Sequence, residues 1–218
     1  GNAWLGLESD NALGSTAEGT IVASGSTLAL GNIEVGNETI TLAGQGNPAS
    51  YGAIHVNNGL SPTLNGNVTN NGNATIGSAG TLTLRGTTNL GAPGDEMTLS
   101  ALPGGVILHD GALSGDGALV LSGGGSIALN AANTYLGETS ITNGTQVSTG
   151  AVNALPTANG RTQLLMDTTG TGGSRLDLSP AGQAVASLTG SSSSSIVLGT
   201  DDLLVGNGIG TDTPLIPA

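Results

Sequence analysis

The feature that most constrains this chain is the spacing of its branched apolar residues. They come in pairs two positions apart: Leu28 and Leu30, Ile40 and Leu42, Leu82 and Leu84, Leu119 and Leu121, Ile127 and Leu129, Leu176 and Leu178. Side chains on a strand alternate between its faces, so each pair lies on one side of a short strand. A helix needs apolar residues three and four apart over roughly ten residues or more, and Gly, Asn, Ser or Thr ends every run before that. The stretch Leu113 to Pro156 gathers the pattern: Leu119-Val120-Leu121 and Ile127-Ala128-Leu129 flank a glycine-rich break, and Ala131 to Tyr135 turns the chain towards Thr139 to Thr142. The unit reads as strand, corner, strand, corner. We therefore expect an all-β chain, a right-handed parallel β-helix with these twelve residues pointing inward. At ~20 residues per coil it makes about ten coils, and ~4.8 Å per coil gives a rod of roughly 50 Å.

Composition bears on this at three points. There is no Phe, and Trp4, Tyr51 and Tyr135 are the only aromatic residues of Phe, Trp and Tyr type. A globular core of this length normally uses more, whereas stacked coils need only a thin apolar ribbon. Lysine is absent, and Arg85, Arg161 and Arg175 face fifteen carboxylates. That balance opposes nucleic acid and anionic membrane surfaces, which are bound through Lys and Arg. Cysteine is absent, so disulfides and thiolate metal sites play no part. No apolar run approaches the ~18 residues of a membrane helix, so direct membrane insertion is not expected. The opening GNAWLGLESD lacks an initiator Met and a signal segment, which reads as a piece of a longer polypeptide.

Few residues invite chemistry. Trp4 is expected to pack over the first coil. Pro48 makes Asn47 to Gly52 a corner or protruding loop. His55 lies between Ile54 and Val56, so it is expected on the outer face, in solvent. Asp95 and Glu96 are adjacent and point to opposite faces, which prevents an acid and base pair. His109 beside Asp110 is the only local His and acid pair, without a nucleophile motif. Leu164, Met166, Leu188, Ile196, Leu198, Leu203 and Val205 continue the inward ladder, and Ser191 to Ser195 reads as a loop or polar strand edge. Gly206 to Asp212 approaches a calcium-binding nonapeptide, but Asn207 stands where a Gly belongs and Pro214 where an apolar residue belongs. No catalytic, cofactor-binding or metal-ligating set is expected.

Leu119 to Gly123, Ala132 to Tyr135, Thr139 to Thr142 and Asn153 to Pro156 occur in the order L-x-L-x-G, Ala-Asn-Thr-Tyr, a Thr-rich strand, Asn-Ala-Leu-Pro. In that order they resemble the autotransporter-associated β-strand repeat of Gram-negative passenger domains. Gly52 to Ile54, Asn65 to Val68 and Thr81 to Leu84 extend the resemblance, which weakens from Gly91 to Gly105. Asn11 to Gly14 is similar to Asn153 to Pro156, and Thr27 to Leu30 to Arg175 to Leu178. These offsets suggest about one and a half copies of a module of roughly 140 residues in a single β-helix segment. The resemblance implies a secreted or cell-surface stalk or adhesin-type segment without catalysis of its own. Expected partners are neighbouring repeats of the same chain or other copies stacked end to end, with a host or matrix glycan or protein as the ligand class. A polysaccharide-binding or depolymerising β-helix fragment, and a self-assembling extracellular fibre subunit, are the alternatives.

Overall fold

Strands from successive coils pair in parallel throughout the computed structural model, which describes residues 3–157, 162–167, 172–179 and 181–206. There is no helix among them. Three sheets wrap one core. The first has nine strands, from Trp4–Leu7 to Ser187–Gly190; the second has eight, from Glu34–Val35 to Ser195–Val197; the third has five, from Thr20–Val22 to Leu113–Ser114. A further pair, Gln183–Val185 with Leu203–Val205, lies towards the C-terminal end. The chain runs from the third face to the first to the second, as in Leu113–Ser114, Ala118–Ser122 and Ser126–Leu129, and then begins the next coil. The expected unit of two strands thus has a third, shorter side.

The apolar doublets form the inner wall. Leu28, Ile54, Ile76, Leu99, Leu121, Ile141 and Met166 stand in one register column of the first sheet. In the second sheet Leu82, Ile107, Ile127, Val147 and Leu176 do the same. All twelve inward positions named from sequence are buried. Stacking like on like lets each residue pack against the same shape in the coil before and after, so a narrow ribbon of aliphatic side chains becomes a continuous core.

Two expectations are corrected here. The first sheet has nine strands and therefore about eight turns, not about ten. The shortest coils do take 20 residues, as between Leu121 and Ile141, but Leu28 and Ile54 are register partners 26 residues apart. Longer coils add corner residues without adding a step, so the rod is about 38 Å long at ~4.8 Å per step. Leu188 is not part of the buried ladder. It is 38 % exposed because it lies in the last strand of the first sheet, with only Leu164 stacked on it from within that sheet. Ile196, Leu198, Leu203 and Val205 are half-buried against the core for the same reason.

Corners are closed by two devices. One is a column of glycines: a Cβ on Gly66 would stand 1.8 Å from the Glu38 carbonyl oxygen, one on Gly86 2.0 Å from that of Gly66, and one on Gly111 1.9 Å from that of Gly86. Only residues without a side chain let the backbone of one coil lie so close on the next. The other is a buried asparagine. Asn133 accepts the Leu113 N–H on Oδ1 at 2.7 Å and donates from Nδ2 to the Ala154 carbonyl at 2.6 Å, bridging the coil before and the coil after. Asn70 likewise donates to the Leu90 carbonyl at 2.9 Å. The Asn133 amide stands in for ladder hydrogen bonds beyond Leu113–Ser114, where the third sheet ends, and the Asn70 amide adds to them at the end of the strand Val68–Asn70.

Candidate functional site

The outward column of the first sheet begins Gly6, Ala29, His55, Gly77. Small residues on either side of His55 leave a shallow trough, and two aromatic side chains fill it. Tyr51 enters from the loop Asn47 to Gly52, which folds back over the sheet. The Thr27 hydroxyl accepts the Asn47 N–H at 2.9 Å and donates to the Gly52 carbonyl at 2.9 Å, and Ser50 closes on the Asn47 carbonyl at 2.7 Å. Gly77 is required beneath it, since a Cβ there would lie 2.1 Å from the Tyr51 carbonyl oxygen. Trp4 reaches the same place from the first strand, spanning Ala29.

At the centre His55 is held on every side. Its ring stacks on Tyr51 with centroids 4.5 Å apart and planes at 21°, and meets Trp4 edge to face at 4.8 Å. The Tyr51 N–H donates to Nδ1 at 3.1 Å, so that nitrogen carries no proton; Nε2 then donates to Asn57 Oδ1 at 3.0 Å. The expectation of a solvated His55 is overturned. It does face outward, but it is 4 % exposed, because a loop and a distant tryptophan cover it. Trp4 and Tyr51 remain 47 % and 40 % exposed. What sequence reading missed is this convergence; the paired small residues Ala29 and Gly77 flanking a histidine in register were the available signal.

The remaining titratable groups are tied into the frame. His109 takes the inward place that Leu84 and Leu129 hold in adjacent coils. Its Nδ1 donates to the Gly111 carbonyl at 2.8 Å and its Nε2 accepts the Thr88 hydroxyl at 2.9 Å, the tautomer opposite to that of His55. Burial pushes its pKa down to about 4, against the raising effects of the Gly111 bond and Asp110. Asp110 points outward and accepts from Asn130 Nδ2 at 2.7 Å, so the adjacent His and acid do not form a catalytic pair.

Tyr135 is fully buried, and burial raises its pKa while the bond to Thr139 opposes that rise. Its hydroxyl lies 2.6 Å from that of Thr139, which lies 3.1 Å from that of Thr162, which donates to the Gly137 carbonyl at 2.8 Å. The carbonyl accepts only, so each hydroxyl donates towards it.

Asp167 accepts the Ser174 N–H at 2.6 Å, the Ser174 hydroxyl at 2.8 Å and the Ser194 hydroxyl at 3.2 Å. Burial opposes its ionisation, but these bonds and one from the Gly144 N–H outweigh burial and hold it below the ordinary aspartate range. The carboxylate only accepts, and neither serine has a histidine to activate it. Ser194 belongs to the predicted polar loop, and Ser195 opens the strand Ser195–Val197.

Asp95 does not share a strand with Glu96, contrary to the expectation from alternation: it accepts the Ala92 N–H in the turn before the strand Glu96–Ala101. Among the described residues no three His, Cys, Asp or Glu side chains gather as a metal site. The calcium-like stretch Gly206 to Asp212 lies, beyond Gly206, outside the described residues. Comparison of the chain with family models, with curated proteins and with solved structures gives no match.

Proposed function

We propose that this chain is a structural β-helix segment, a stalk or adhesin-type spacer of a secreted or surface-displayed bacterial protein, with no catalysis of its own. The observation that carries the reading is where the fold spends its polar chemistry. His109, Asn133, Tyr135 and Asp167, the groups that a catalytic site would draw on, each bond to another coil or an adjoining turn and hold the stack together. The extracellular setting is favoured by the resemblance of the Leu119 to Pro156 motifs to passenger repeats, and by a net charge of −12 without lysine or cysteine.

End-on partners, either neighbouring repeats or other copies of this chain, are favoured by apolar side chains bared on the first coil. Leu5 is 54 % and Ile21 76 % exposed there, and with Val22 and Leu28 they line a hollow of the size of an aliphatic side-chain cluster. Protease shaving of intact cells carrying the native protein tests the location: the proposal expects the segment to be released from the surface, and retention inside the cell refutes it. Incubation of the purified chain with a polysaccharide panel tests the rest. No new reducing ends are expected, and their release would favour the depolymerase reading instead.

A further inference from the structure

Two of the three Phe, Trp and Tyr-type residues of this chain stand on its lateral surface instead of in its core. Stability alone does not place them there, because an indole or phenol left half in water forgoes much of what burial would contribute. Nor are they loose. The Thr27 hydroxyl anchors the loop that carries Tyr51, and His55 props both rings while its two nitrogens are bound to the Tyr51 N–H and to Asn57. Rings held in place in this way need no ordering when a ligand arrives, and that raises the affinity a small contact can deliver.

We propose that Trp4 and Tyr51 form a carbohydrate subsite for an uncharged pyranose unit of a neutral polysaccharide. The axial C–H face of a pyranose is apolar and carries slight positive charge on its hydrogens, which suits the negative face of an aromatic ring. Its hydroxyl rim needs hydrogen-bond partners, and Asn57 is exposed beside the platform with Oδ1 held by His55, so its Nδ2 is the amide group that would meet a ligand hydroxyl. An acidic sugar is disfavoured by the net charge of −12 and by the lack of any lysine to meet its carboxylate. The flanking Gly6, Ala29 and Gly77 are small, so the contact is limited to the two rings, too little for the ~800 Å² per side of a protein interface. This inference goes beyond a display role and holds wherever the protein resides.

Trp4 is the only tryptophan, so its fluorescence reads the site directly. The chain is titrated with cellohexaose and mannohexaose, and with an oligogalacturonate of equal length as the acidic counterpart. A saturable change with at least one neutral probe and none with the oligogalacturonate is expected. Tyr51→Ala should weaken binding about tenfold or more, the loss of one aromatic contact. Tyr51→Phe should bind as the parent does, and so should Leu136→Ala, which alters an exposed apolar residue elsewhere. Should Tyr51→Ala unfold, Trp4→Ala followed by calorimetry reads the other half of the platform. Absence of binding by both neutral probes, preference for the acidic one, or affinity unchanged by loss of either aromatic ring overturns the proposal.

Discussion

Acidifying the protein should expose the cost of keeping His109 neutral. In the unfolded chain this histidine takes a proton near pH 6.5, whereas in the fold burial delays that to about 4. Between those values the unfolded state binds more protons, so its share of the stability is complete above pH 6.5, is lost as pH falls, and levels off below about 4. At about 1.4 kcal/mol for each pH step, the interval amounts to about 3 kcal/mol, a large part of the stability of an ordinary domain. The comparison is with His109→Leu, which restores the leucine of the neighbouring coils. Its stability at neutral pH will also shift, since the Gly111 carbonyl and Thr88 hydroxyl lose a partner at about 1–3 kcal/mol each and added apolar burial offsets part of that. The slope with pH is therefore the quantity to read. Urea midpoints measured in steps from neutral pH down to about 4 should fall more steeply for the parent than for His109→Leu, the gap between them changing by about 3 kcal/mol over the window. Every other titrating group is present in both proteins and cancels in the difference. Asp167, held below the ordinary aspartate range, contributes stability that begins to fall below about pH 5 and is lost through more acid pH; it is the same in both proteins and also cancels. Parallel loss of stability in both proteins would refute the burial argument.

Three further outcomes follow from the stack. Leu121→Asp places an unpaired charge at a fully buried site in the first sheet and should cost more than about 4 kcal/mol, with amide exchange in the adjoining strands Glu96–Ala101 and Thr139–Ile141 accelerated first; unchanged exchange there would contradict the inward assignment. Gly86→Ala drives a methyl group onto the Gly66 carbonyl and should cost more than the roughly 1 kcal/mol of a typical point substitution, read from the urea midpoint; a neutral result would show that coils can separate at the corner. Asn133→Ala orphans the buried Leu113 N–H and Ala154 carbonyl and should cost about 2–4 kcal/mol, whereas Asn130→Ala, which removes an exposed bond to Asp110, should cost under about 1 kcal/mol; equal losses would deny the bridge its role.

How far the fold was legible follows from which forces act locally. Period-two doublets such as Leu82 and Leu84 announce their inner face because strand geometry leaves no other choice, and Asn-Gly and Gly-rich breaks announce corners. The third face was not legible: its strands are as short as Leu113–Ser114, and further on it is completed by the Asn133 amide, which in sequence looks like one more turn residue. Coil number was overcounted because 20 residues is the shortest step, as from Leu121 to Ile141, while others such as Leu28 to Ile54 and Ile141 to Met166 take 26 and 25, and the added corner residues look in sequence like the start of another coil. Burial of His55 could not be read from Ile54 and Val56, since alternation tells which face a side chain takes and not what later lies on it.

The close stacking of Gly66, Gly86 and Gly111 also separates two kinds of variation. Axial rise is set where backbones touch, and there the chain tolerates no added atom. Lateral extent is set where coils differ in length, as between the 20 residues from Leu121 to Ile141 and the 26 from Leu28 to Ile54, and there added residues leave the rise untouched. A foreign segment grafted into an exposed bulge such as Gly91 to Gly94 would therefore widen the rod without lengthening it, while one added residue in the glycine column would shift every coil beyond it out of step. The scaffold works as a ruler whose divisions are fixed and whose edge is open to writing.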